Sequence, residues 1–303
     1  MKIWILTKKG WGSSGNTLRL IETATEMGIN CRVVNPRDFD IVTTREGMSS
    51  IYHGSENVEL PDCLLPRLGS ATTYFARAVT RHLENLGVLV LNSSQSIELS
   101  QDKLATLQHL ASNNIPIPKT ILARSPVNMS IIEKEFSYPL ILKTVSGSFG
   151  KGVFLCENRS KLQDTLDLLE TAHDLPVNVI LQEFMKSSKG RDLRVMVIGG
   201  RPYGAMLRTA QRGRFKANYS AGGKVSLFKM NPTIEWLAVE SARILNMDIA
   251  GVDILFDQDT YVVCEVNSAP GFEGFEKATC IDVPREIFEY AKLRLGTNRT
   301  SSA

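Results

Sequence analysis

Short apolar runs alternate along the first third of the chain with stretches in which apolar residues recur every three or four positions. Residues 2–7, 31–34, 63–67 and 88–91 have the length and composition of buried strands, and residues 17–27 and 72–86 carry helical periodicity. This alternation predicts a parallel, doubly wound α/β domain. Asn92-Ser93-Ser94 interrupts it, which sets a boundary near residue 96.

The pattern then changes. A helix is expected over 100–111, ended at Asn113-Asn114 and kept from resuming by Pro116 and Pro118. Strands over 139–143 and 153–157 flank Gly147-Ser148-Phe149-Gly150-Lys151-Gly152, followed by a helix over 161–171 and a strand over 179–183. Residues 191–264 read mostly as strands with one helix at 234–245. A helix over 284–295 closes the fold, and the polar tail 296–303 is expected to fray.

Bulk properties narrow the function. A formal charge of +3 over 303 residues gives no case for a nucleic-acid partner. The local cluster Arg208, Arg212, Arg214 and Lys216 suits phosphates or a small acid better. The five cysteines are dispersed, odd in number and without a C-x-x-C pair, which argues against zinc and against a disulfide framework. The first residues read as a strand and not as a signal peptide, and no apolar run approaches the ~18 residues of a membrane span, so a cytoplasmic location is expected.

Two glycine-rich stretches invite nucleotide readings. Gly10, Gly12 and Gly15 form a G-x-G-x-x-G after the first strand, a pattern found in NAD-dependent oxidoreductases. The second strand, however, ends in Asn35-Pro36 and not in the acid that a ribose requires. The stretch 147–152 lacks the helix that follows a Walker loop. Between two antiparallel strands it is instead a flap whose amides can close over phosphates, with Lys143 beside them.

The most informative segment is 251–267. Two apolar strands flank a polar turn, and folding about Gln258-Asp259 brings Asp253 opposite Glu265 to within about one residue. Asn267 shares the face of Glu265. Two carboxylates across a ladder repel among apolar neighbours unless a cation sits between them. Two carboxylates and an amide oxygen suit Mg²⁺ that also holds nucleotide phosphates. No nucleophile–base pair accompanies this hairpin, so phosphoryl transfer is the chemistry indicated.

In this order, the elements resemble the ATP-grasp superfamily and, in detail, the RimK-like glutamate ligases. The markers are Gln101-Asp102-Lys103, Leu142-Lys143, Gln182-Glu183-Phe184, Gly190-Arg191-Asp192-Leu193-Arg194, Asn218, Gly222-Gly223, Ala250-Gly251-Val252-Asp253 and Cys264-Glu265-Val266-Asn267-Ser268-Ala269-Pro270-Gly271. The resemblance implies an α/β ATP-grasp fold: a Rossmann-like pre-ATP-grasp domain over 1–96, a central α+β lid over 97–184, and a C-terminal α+β domain over 185–295, with 296–303 a flexible tail. It also implies ATP at Lys103 and Lys143, and adenine at the hinge of Glu183 and Phe184. Ribose falls to Asp192, the triphosphate to Lys216, Ala217 and Asn218, and two Mg²⁺ (or Mn²⁺) ions to Asp253, Glu265 and Asn267. Arg208 is the catalytic residue, neutralising the transferring phosphoryl group. A fixed guanidinium aimed at developing charge is worth roughly 3 kcal/mol of barrier. The activity implied joins L-glutamate or a related amino acid to a carboxylate at a protein C-terminus or on a small acid, in a homo-oligomer. A non-catalytic ATP-binding protein of the same fold and an oxidoreductase using residues 10–15 are the alternatives. Phe184 stands where relatives often carry tyrosine.

Overall fold

The structure is a computed structural model that describes residues 1–300 other than 9–11, 13, 46–50, 55, 69–72, 146–151, 172–177, 214, 218 and 220–221. In the N-terminal domain, β1 (Lys2–Leu6), α1 (Gly15–Glu26) and β2 (Asn30–Val34) are followed by three short strands, β3 (Phe39–Ile41), β4 (Ile51–His53) and β5 (Glu56–Asn57). Then come β6 (Cys63–Pro66), α2 (Tyr74–Asn85) and β7 (Leu89–Val90). The parallel sheet has the order β2-β1-β6-β7, so the chain reverses direction of winding between β1 and β6. Ile3, Ile5, Cys63 and Leu65 face α1, whereas Trp4, Leu6 and Leu64 face α2. The sheet of β3–β5 went unpredicted because its strands are only two or three residues long, too short for alternation to register.

The central portion begins with α3 (Ser94–Gln101) and α4 (Lys103–Ser112). The helix expected over 100–111 is α4, which starts at Lys103, and α3 ahead of it went unpredicted; the two are separated at Asp102, whose carboxylate caps α4 by accepting from the Ala105 amide at 2.9 Å. Next come β8 (Thr120–Arg124), α5 (Met129–Glu135), β9 (Leu140–Thr144), β10 (Val153–Cys156), α6 (Arg159–Thr171) and β11 (Asn178–Glu183). They form an antiparallel sheet, β10-β9-β11-β8. Leu140, Leu142, Val179 and Leu181 pack against α5 and α6. Alternation leaves Ile141, Lys143 and Gln182 on the opposite face.

The last portion holds β12 (Arg191–Ile198), β13 (Arg201–Thr209), β14 (Lys224–Phe228), α7 (Pro232–Ile244), β15 (Ile249–Asp257), β16 (Thr260–Asn267), α8 (Glu273–Thr279) and α9 (Val283–Thr300). Its antiparallel sheet has the order β14-β13-β12-β15-β16. One face, with Leu193, Val195, Val252 and Ile254, is buried under α7. On the other face, Met196, Ile198 and Met206 join the core of α8, α9 and the N-terminal sheet. Asp192 and Arg194 continue that second face beyond the core, where it opens toward Lys143. The tail expected to fray from 296 instead continues α9 to Thr300, through Gly296.

Asn92 stitches the halves together. Its side-chain amide donates to the carbonyls of Ile249 (2.7 Å) and Ser268 (2.8 Å), and its oxygen accepts from the Ile249 amide (2.8 Å). Buried polar groups satisfied this fully fix one relative placement of two elements.

Candidate active site

The site is built on the β15–β16 hairpin. A regular register from the Asp257–Thr260 pair would set Asp253 opposite Cys264. The ladder instead shifts by one residue after the Ile254–Val263 pair, so Asp253 faces Glu265 and Gly251 faces Asn267. Cys264 is the extra residue of this bulge. The bulge keeps Val263 and Val266 in the core and turns Glu265 and Asn267 to the face of Asp253. Gly251 is required: a Cβ there would come 2.5 Å from the Pro270 ring. Asn267 donates its amide N–H to the Gly251 carbonyl at 3.2 Å, which leaves its side-chain oxygen turned the other way.

Beside the hairpin lies a four-membered charge network. Arg194 grips Asp253 with two bonds of 2.7 Å, Nε to Oδ1 and Nη2 to Oδ2. Arg208 reaches the same Asp253 Oδ2 at 3.0 Å through Nη2 and binds Asp192 Oδ1 at 2.5 Å through Nε. The strands dictate this: Asp192 is opposite Arg208, and Arg194 is opposite Asp253. Burial alone would raise the Asp253 carboxyl, but Arg194 and then Arg208 outweigh it and hold the group below the usual carboxylate range. Asp192, also buried, ends up raised in spite of Arg208. Arg208, which burial would lower, is raised by the two aspartates. Arg194 has no role in the sequence reading. Its spacing of two from Asp192 on a strand was the available signal.

A cleft of about 980 Å³, counting its open mouth, runs between the two antiparallel sheets. It gathers Arg208, Lys103, Lys143, Glu183, Phe184, Asp192, Lys216, Ala217, Asp253 and Glu265. Asn267 lies two positions beyond Glu265, and Asn218 falls outside the described residues, as does the flap apart from Gly152. Ile141, Val153, Met185 and Leu255 make part of the wall apolar, as a flat heterocycle requires. Lys103, at the start of α4, reaches the Thr144 carbonyl at 3.5 Å. Lys143 donates to the Cys264 sulfur at 3.5 Å. Burial lowers both Lys103 and Lys216 from the ordinary lysine value, and Glu265 opposes this at Lys103. The Cys264 thiol is raised by burial. Glu265 forms no hydrogen bond or ion pair among the described residues.

These donors suit a hard divalent cation. Two carboxylates and an amide oxygen share one face, and Glu265 has coordination capacity to spare. Among the described residues no three His, Cys, Asp or Glu side chains converge, so such an ion would need further oxygens from a ligand.

Residues 100–291 match the RimK-like ATP-grasp domain, and residues 1–97 match the RimK pre-ATP-grasp domain. A probable alpha-L-glutamate ligase of Maridesulfovibrio salexigens is 36% identical over 303 residues, covering 100% of this chain and 99% of that protein. One from Rhodopirellula baltica is 38% identical over 276 residues, covering 91% of this chain and 67% of that protein. Among solved structures, the ATP-grasp ligase PsnB, complexed with a phosphomimetic variant of its minimal precursor, Mg and ADP, has a similar fold. Its TM-score is 0.76 at 19% identity, over 96% of this chain and 98% of that one. With a two-carboxylate hairpin, three cleft lysines and family matches that span nearly its whole length, the chain belongs to the RimK-like ATP-grasp family and is an ATP-dependent ligase.

Proposed function

We propose that the chain joins L-glutamate, or a closely related amino acid, to a carboxylate at a peptide C-terminus or on a small acid, through an acyl-phosphate. The observation that carries this reading is the convergence on one cleft of an apolar wall, three lysines, the Asp253–Glu265 face and the Arg208 guanidinium. Glutamate is suggested by the names of the relatives, and a peptide acceptor by the precursor bound to PsnB.

In this reading the apolar wall beside Glu183 and Phe184 takes adenine, with Asp192 toward the ribose. Lys103, Lys143 and Lys216, together with Ala217 and Asn218, line the triphosphate. Asp253, Glu265 and Asn267 would hold one or two Mg²⁺ (or Mn²⁺) ions, which supply charge neutralisation and polarise the γ-phosphate when bound. With a cation held there, Asp253 would depend less on its arginine partners, and Arg208 and Arg194, which border the same face, would meet negative charge on the reacting acid. The acceptor carboxylate displaces ADP from the γ-phosphate, and the amine then expels phosphate from the acyl-phosphate to give the amide. The chain contributes alignment and charge complementarity, and shields the acyl-phosphate from water.

The test is a phosphate-release screen with ATP, Mg²⁺ and L-glutamate against short peptides and small acids. Release that depends on both glutamate and an acceptor is expected; ATP binding with no release across the panel would count against the reading. Lys143→Ala should weaken ATP binding about 10- to 100-fold, the value of one or two charge-assisted hydrogen bonds, with the loss unchanged at saturating acceptor. Unaltered ATP affinity by calorimetry would remove Lys143 from the phosphates.

A further inference from the structure

Parallel sheets that reverse winding direction bind ligands at the carboxyl ends of the two strands flanking the reversal. Here those strands are β1 and β6. Leu6 pairs with Pro66, and the Arg67 amide donates to the Leu6 carbonyl at 2.8 Å, so Thr7 and Arg67 are the next neighbours in the ladder. Ile3, Ile5, Cys63 and Leu65 all belong to the α1 side, and alternation places Thr7 and Arg67 on that same side.

Both side chains are buried, and neither is satisfied in the usual way. The Thr7 hydroxyl, 2% exposed, has no hydrogen-bond partner among the described residues. Arg67, 8% exposed, lies 5.5 Å from the Phe272 ring centre and donates Nη2 to the Pro270 carbonyl at 2.6 Å. It pairs with no acid among the described residues. Burial lowers its guanidinium to about 10. A buried hydroxyl without a partner and a buried cation without an anion among the described residues are each costly, and their residues are neighbours in the ladder on one face of the sheet. A carboxylate would satisfy both.

The place is joined to the cleft. Pro270 abuts Gly251, whose ladder partner is Asn267. On the far side, Asn16 at the start of α1 accepts from the Phe272 amide at 2.9 Å. Arg67 therefore holds the 270–272 turn that directly follows the carboxylate hairpin, on residues other than those Arg208 contacts.

We propose that Thr7 and Arg67 form a subsite for a carboxylate of the amine substrate, one that is held and not phosphorylated. The inference rests on the ligase reading and deepens it. An amino acid used as the amine keeps its own carboxylates through the reaction, and a site at one remove from the phosphoryl acceptor is where they would be held. A forked guanidinium gives two parallel bonds to one carboxylate, with the threonine hydroxyl as a third donor.

The test compares wild type, Arg67→Met and Thr7→Val in ADP-release kinetics with L-glutamate and its two mono-amides. Arg67→Met should raise the KM for glutamate about 100-fold, as for a lost charge-assisted pair, while the KM for ATP stays within about threefold. It should also abolish discrimination against the mono-amide whose carboxylate the subsite contacts. Thr7→Val should raise the KM for glutamate about 10-fold without lowering the melting temperature, since it removes a hydroxyl left unsatisfied in the free protein. A lowered melting temperature for Arg67→Met with discrimination intact would make Arg67 a structural latch for the 270–273 turn and overturn the proposal. If wild type releases no ADP with any amine, the ligase reading fails first. Calorimetric binding of L-glutamate then decides the subsite alone: binding lost in Arg67→Met upholds it, and equal binding or none in both proteins overturns it.

Discussion

Replacing Glu265 with alanine is expected to abolish ADP formation while leaving the fold intact. Glu265 faces Asp253 across the ladder and has no hydrogen bond among the described residues, so the folded protein loses no bond there. Removing one of two apposed carboxylates relieves repulsion but also takes a negative charge from beside the buried Lys103, so the melting temperature should change little. Catalysis should respond strongly. In the proposed reading the second carboxylate is what makes this face a cation site, since Asp253 already has Arg194 and Arg208 as partners. The loss should exceed the ~10–100-fold typical of groups that merely support a metal ligand. Mn²⁺ binding, followed by electron paramagnetic resonance in the presence of ADP, should weaken in parallel. Near-normal turnover, or unchanged Mn²⁺ affinity, would end the assignment.

Arg208→Ala should slow turnover ~10²–10³-fold, as loss of one charge-stabilising donor does. It should also destabilise the protein, because Arg208 is 5% exposed and bridges the buried Asp253 and the partly buried Asp192. Stripping a buried ion network of one member costs on the order of 3–5 kcal/mol. The two effects are separable with Arg208→Lys. A lysine keeps the charge between Asp192 and Asp253 and should restore most of the stability. It cannot reproduce the forked contact through Nε and Nη2, and should recover only part of the rate. Thermal unfolding and kcat measured on the same preparations read the two separately. A lysine variant with full activity would reduce Arg208 to a structural ion pair.

Much of this was legible in the sequence, for physical reasons that can be traced to particular residues. The hairpin at 251–267 was readable because apolar alternation and a polar turn lie within one short segment. Its register was readable only to within one residue, because the bulge at Cys264 depends on burying Val263 and Val266 together under α7. Arg194, though part of a marker block, was given no role because its partner Asp253 is 59 residues away and meets it only through the β12–β15 pairing. The conjunction of Thr7 and Arg67 was hidden for the same reason, since a parallel ladder joins strands distant in the chain. α3 was missed because its eight residues are mostly serine and other polar groups and show little helical periodicity, and α4 starts three residues later than expected because the Asp102 side chain caps it at the Ala105 amide. α8 was missed because its seven residues carry a glycine in the first turn and show too little periodicity to register.

The central claim is that a carboxylate is activated as an acyl-phosphate and not as an acyl-adenylate. An acceptor carrying ¹⁸O in its carboxylate, turned over with ATP, Mg²⁺ and L-glutamate, tests it directly. Mass spectrometry of the inorganic phosphate should find one labelled oxygen transferred per turnover, with ADP as the nucleotide product. Label appearing in AMP, with pyrophosphate released and no labelled phosphate formed, would contradict the account.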